Sequence, residues 1–126
     1  MDGKKLVVRV ILEMLGAPMD YIEQTLKDYV VKLKTDGLVI KKESYAGAKP
    51  QDKLFSTFVE LEIEFKDLDA LLVFCFEALP SSVEILEPVV LSINAHELTG
   101  FLNDLQARLH EADMIIKTSR AHNKIL

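Results

Sequence analysis

The sequence predicts an α+β fold: strands and helices in the order strand, helix, strand, strand, helix, strand, forming one antiparallel sheet, then a long C-terminal helix. Three patterns predict it. Residues 54–65 alternate apolar with polar or acidic side chains, the period of a half-buried strand. Ile22, Leu26, Tyr29, Val30 and Leu33 recur at three- and four-residue steps, the period of a helix. Leu98, Leu102, Leu105, Leu109, Ala112 and Ile116 alternate by four and three, a heptad seam.

The first strand is expected over Leu6–Leu12. Leu6, Val8, Val10 and Leu12 form its core face, and Val7, Arg9, Ile11 and Glu13 the other. Gly16, Ala17 and Pro18 break it, and Pro18 suits the first turn of a helix running to about Asp36. Lys32 and Lys34 favour the negative end of that helix dipole, and Gly37 suits its C-terminal cap. Leu38–Tyr45 reads as a short strand. Ala46–Lys53, with Gly47 and Pro50, reads as a surface loop.

The third strand, Leu54–Phe65, sets Phe55, Thr57, Val59, Leu61, Ile63 and Phe65 against Phe58, Glu60, Glu62 and Glu64. Leu68, Leu71, Leu72, Cys75, Phe76 and Leu79 mark a second helix ended by Pro80. A fourth strand over Ser81–Glu87 stops at Pro88. The last helix starts after Asn94, with Glu97 three residues on in a capping-box arrangement, and runs from Ala95 to about Asn123. Gly100 near its start costs about 1 kcal/mol of helix stability relative to Ala.

Strand–helix–strand twice over is the ferredoxin-like βαββαβ arrangement, here as residues 1–93 with residues 94–126 as an amphipathic helix of the same single domain. The first and third strands are expected at its centre. One sheet face then lacks helices and shows Val7, Arg9, Ile11, Glu13, Phe58, Glu60, Glu62 and Glu64.

Composition narrows the function classes. The 126 residues carry 15 basic and 20 acidic side chains, a net charge of −5, which makes nucleic acid a poor partner. One cysteine excludes an internal disulfide framework and fits a reducing, cytoplasmic setting. The longest apolar run, Ala70–Phe76, is far short of the roughly 20 residues that cross a bilayer. Arg9 and Glu13 interrupt the N-terminal apolar stretch, unlike the core of a secretion signal. A soluble protein with no membrane partner is expected.

The segment DLDALLVFCFEALPSSVEILEP followed by a helix resembles the end of the WCX domain, the ferredoxin-like C-terminal extension of WYL-type bacterial regulators. Val83-Glu84-Ile85-Leu86-Glu87-Pro88 matches that domain's strand, and TFVELEIEF resembles the strand before it. Ala78-Leu79-Pro80 stands where the family has a glycine turn. The resemblance implies oligomerisation and ligand sensing without catalysis. ACT and RAM modules share the topology and imply the same.

Candidate chemistry is sparse. His96-Glu97 and His110-Glu111 repeat at 14 residues, so on one helix they stand roughly 21 Å apart and cannot share a metal. His122 completes the three histidines, and no metal or cofactor is expected. Cys75 is expected to be a buried, unreactive thiol of the second helix. Glu60, Glu62 and Glu64 put three carboxylates on one strand face, available for acid–base chemistry or for pairing with Lys41 or Lys42 on the next strand. No phosphate-cradling glycine loop, nucleophile elbow or zinc-helix motif occurs.

The expected function is a non-catalytic, homo-oligomeric module binding a small molecule or a protein partner, with a regulatory role. Arg9, Tyr45, Glu60 and Glu62 are its candidate ligand-binding residues, and Leu98, Leu102, Leu105, Leu109 and Ile116 its oligomer interface. The alternative is a small enzyme using Glu60, Glu62 and Glu64 on the open face. For the last helix, packing across the open sheet face of its own monomer is the alternative to assembly.

Overall fold

The computed structural model describes residues 5–125, with side chains described as far as residue 115. It has the element order β1 (Leu6–Gly16), α1 (Met19–Thr35), β2 (Val39–Gln51), β3 (Leu54–Phe65), α2 (Leu68–Ala78), β4 (Ser82–Glu87) and α3 (Ala95–Ile125). The four strands form one antiparallel sheet in the order β2-β3-β1-β4, an α+β architecture of ferredoxin-like type. The chain divides into two compact units, the first ending at Val90 and the second starting at Leu91.

β1 and β3 are central, as their length and apolar content predict. Their ladder is unbroken from Leu6↔Phe65 to Gly16↔Phe55. Period-two alternation puts Leu6, Val8, Val10 and Leu12 on the same side as Val59, Leu61, Ile63 and Phe65, and all eight are buried. Ile22, Leu26 and Val30 of α1 close this core from above, and Leu71, Leu72 and Phe74 of α2 add to it. The Phe65 and Phe74 rings meet with centroids 5.3 Å apart and planes tilted by 56°.

Local signals explain the helix ends. Pro18 caps α1 with an extended backbone, and Gly37 at φ 102° follows the C-cap Asp36. Only glycine takes that backbone without a steric cost. Asp67 caps α2 by accepting a hydrogen bond from the Ala70 amide at 2.8 Å. In α3 the capping box is reciprocal: Glu97 N–H donates to Asn94 Oδ1 at 2.8 Å, and Asn94 N–H to Glu97 Oε1 at 3.4 Å.

Three expectations need correction. β1 runs four residues past Leu12, to Gly16, because β3 offers a partner for each of them. Ala46–Lys53 is not a surface loop: β2 continues to Gln51, and only Asp52 and Lys53 turn the hairpin. Gly47 and Pro50 are accommodated because β2 is an edge strand whose register slips between Ala46 and Lys49. Cys75 is half-buried, not buried, because α2 turns Leu71, Leu72 and Phe74 inward instead.

Candidate functional site

β1 lies between β3 and β4, so each of its residues has a neighbour on both sides. Arg9 stands opposite Glu62 on β3 and opposite Glu84 on β4. Its side chain reaches both: Nη2 is 3.4 Å from Glu62 Oε2, and Nη1 is 3.2 Å from Glu84 Oε1. Nε lies 3.5 Å from Glu60 Oε2, an ion pair, yet it is buried and makes no hydrogen bond. One guanidinium therefore serves three carboxylates. Its pKa is raised, chiefly by the hydrogen bond to Glu62, and it stays charged.

Glu64 continues the row and pairs with Lys41 at 3.2 Å and Lys5 at 3.5 Å. The Lys41 hydrogen bond holds its carboxyl below the usual range. The expected cross-strand neutralisation is thus present at Glu64, whereas Glu60 and Glu62 are matched by Arg9 of β1 and not by a lysine of β2. The resulting belt crosses the sheet face opposite the one on which α1 and α2 pack. Apolar side chains border it: Val7 and Ile11 half-buried, Leu15, Leu54 and Phe58 exposed.

Arg9, Glu60 and Glu62 come together, but Tyr45 does not join them. It stands opposite Val59, a core residue, so it lies on the helix-bearing side of the sheet. There its hydroxyl donates to Glu43 Oε1 at 3.1 Å, Lys34 pairs with Glu43, and Lys27 Nζ sits 5.9 Å from the Tyr45 ring centre. Burial and the Glu43 contact push the phenol up to about 12. Glu84 is the member that sequence reasoning missed. The alternation Val83-Glu84-Ile85 puts it on the Arg9 face once β4 is paired with β1.

A groove of about 910 Å³ opens between the end of α1, the start of β2 and α2. Leu33, Phe65, Val73 and Phe74 line its apolar part, and five acidic residues outnumber Lys5 and Lys66 among its charged groups. No group of three or more His, Cys, Asp or Glu among the described residues could hold a metal ion. His96 and His110 lie on α3, and His122 falls outside the described side chains.

In α3, Leu98, Leu102 and Leu109 are exposed and Leu105 is half-buried; Ile116 falls outside the described side chains. Among the described residues no helix is long and apolar enough to cross a membrane.

Neither the curated proteins nor the solved structures include a match to this chain. One family model does match, over residues 7–122, from β1 through most of α3, and it brings nothing specific to WCX or ACT modules. A match of that extent takes in both the Arg9 belt and the leucine stripe of the last helix, and the chain belongs to the MJ0538 family.

Proposed function

We propose that this protein is a non-catalytic, self-associating module of ferredoxin-like βαββαβ type that binds a protein or small-molecule partner, with α3 as its assembling element. The observation that supports this is the stripe of α3. Leu98, Leu102 and Leu109 repeat at heptad-like steps and remain exposed, and Ile115 flanks the stripe. Such a seam is stable in water when another helix or surface covers it. A regulatory role in the cytoplasm fits the single cysteine, the WCX-like segment from Asp67 to Pro88 and the topology shared with ACT modules.

The Arg9 belt fits a recognition surface better than an acid–base centre. A general acid needs a carboxyl held protonated near neutral pH. Here Glu60 and Glu62 face a guanidinium, and Glu64 faces two ammonium groups. The Lys41 hydrogen bond holds the Glu64 carboxyl below the usual range, the opposite of what a general acid needs.

Sedimentation velocity of the wild type and of Leu105→Asp/Leu109→Asp tests the assembly. The wild type is expected to sediment as a dimer or larger, and the variant as a folded monomer. A wild type that is monomeric at high concentration overturns the proposal, as does a variant that keeps the wild-type assembly.

A further inference from the structure

The groove between α1, β2 and α2 has an apolar floor and an uneven charge, and all the residues that line it lie in the first compact unit. Three of its five carboxylates have partners: Asp36 pairs with Lys32, Glu64 with Lys41 and Lys5, and Asp67 caps α2. Asp69 and Glu77 are exposed and in no ion pair among the described residues. Asp69, Val73 and Glu77 recur at four-residue steps along α2. An acid, an apolar and an acid side chain thus share one stripe at the groove, with the two acids about 12 Å apart along the axis.

The last turns of α3 carry the complementary pattern. After Asp113 the sequence has no acidic residue, while Lys117, Arg120 and Lys124 recur by three and four. Lys117 and Lys124 are one heptad apart, about 10 Å along a helix, close to the spacing of Asp69 and Glu77. Met114, Ala121 and Ile125, at steps of seven and four, form an apolar stripe beside these cations. That stripe is on a different side of the helix from the Leu98, Leu102 and Leu109 seam, so one helix can use both.

We propose that this groove receives the last turns of α3 from a second copy of this chain, Lys117 and Lys124 meeting Asp69 and Glu77, and Met114, Ala121 and Ile125 covering the apolar floor. An amphipathic helix laid in an apolar groove makes its contacts at such steps, and the charges fix its register. A twofold axis makes the contact reciprocal, so each copy fills the other's groove. A chain's own α3 reaches its groove less readily. β4 ends at the groove's end of the sheet, with Glu87 opposite Val7 and Leu6 opposite Phe65. Lys117 stands 22 residues beyond Ala95, about 33 Å along a helix. Only residues 88–94 join strand to helix, and they would have to run nearly straight, whereas the chain bends at Val89 and Val90. The proposal rests on α3 as the assembling element and names the surface that its end meets.

Cross-linking of two co-expressed full-length copies with tags of different size, both in a Cys75→Ser background, tests it. One copy carries Ala121→Cys and the other Val39→Cys, an exposed position lining the groove. With a short bis-maleimide, the mixed dimer is expected to form at least about tenfold faster than when Tyr21→Cys, exposed near the start of α1, replaces Val39→Cys. Asp69→Lys/Glu77→Lys in both copies is expected to abolish the difference, and adding Lys117→Glu/Lys124→Glu to both to restore it. Equal rates for Val39→Cys and Tyr21→Cys overturn the proposal, and so does a charge swap that restores nothing. If the wild type sediments as a dimer while these rates are equal, the groove proposal falls and the α3 reading stands; a monomeric wild type removes both.

Discussion

Arg9 and Glu84 face each other across the β1–β4 ladder, with Nη1 3.2 Å from Oε1, and this pair ties an edge strand to the charged belt of the central strands. Glu60 and Glu62 complete that belt from the other side. Removing the guanidinium leaves three carboxylates close together on one face with no cation among them. Arg9→Gln is therefore expected to lower the melting temperature at neutral pH, more at low salt than at high salt. Adding Glu62→Gln should recover part of the loss, because it removes one of the repelling charges. An unchanged melting temperature in Arg9→Gln, or no recovery in the double variant, would show that the belt does not couple the strands.

The acid limb of stability should report two other carboxylates. The hydrogen bond from Lys34, and then that from Tyr45, hold Glu43 below the usual range, and Lys41 does the same for Glu64. A depressed carboxyl contributes stability that is present above its unfolded value, about 4.3. That contribution is lost as pH falls through the lower folded value. Melting temperature is expected to decline progressively below about pH 4.3. Lys34→Met and Lys41→Met should each make that decline shallower, which thermal scans at stepped pH would read.

Tyr45 governs the alkaline side. Burial first, then the Glu43 carboxylate, push its phenol up to about 12. The neutral phenol is the form the fold favours, so its contribution is complete below the unfolded value near 10 and is lost as pH rises toward the folded one. Ultraviolet titration of the phenolates should show a late component near 12 that Tyr45→Phe removes, while the upward shift that burial gives Tyr29 stays. If the late component persists in Tyr45→Phe, the assignment fails.

Legibility in the sequence follows how local each signal is. β3 was readable to the residue because strict alternation needs only one strand. The α3 start was readable because Asn94 and Glu97 bond to each other within one turn. The full length of β2 is not legible, because Gly47 and Pro50 read as turn residues unless the strand is known to be an edge. The Arg9 belt was half legible: Glu60 and Glu62 share a strand face, but Glu84 joins only through the order β2-β3-β1-β4. The side of the sheet on which Tyr45 lies is not legible, because it depends on the register slip between Ile40 and Lys42, which nothing local announces.

Cys75 gives a kinetic prediction. It is half-buried on α2, and burial pushes its thiol up. The thiolate is the reactive form, so both access and ionisation slow it. Iodoacetamide at neutral pH should modify the native protein at least about tenfold more slowly than the denatured chain. Equal rates would show that the thiol is freely accessible.

The capping box of α3 gives the sharpest local test. Asn94 accepts from the Glu97 amide at 2.8 Å, and Glu97 accepts from the Asn94 amide at 3.4 Å, so two otherwise unpaired donors are satisfied at once. Gly100 lies within the first two turns and weakens propagation from that start. The cap is thus what holds the N-terminal turn, where Leu98 begins the apolar stripe. Asn94→Ala is expected to cost the helix about 1 kcal/mol, which is roughly a fivefold rise in exchange of the Glu97 and Leu98 amides with solvent. Asn94→Asp, which keeps an acceptor oxygen at the same position, should restore protection. Hydrogen exchange in full-length protein decides it: no change in Asn94→Ala, or no restoration in Asn94→Asp, would mean that the start of α3 is held by something other than this box.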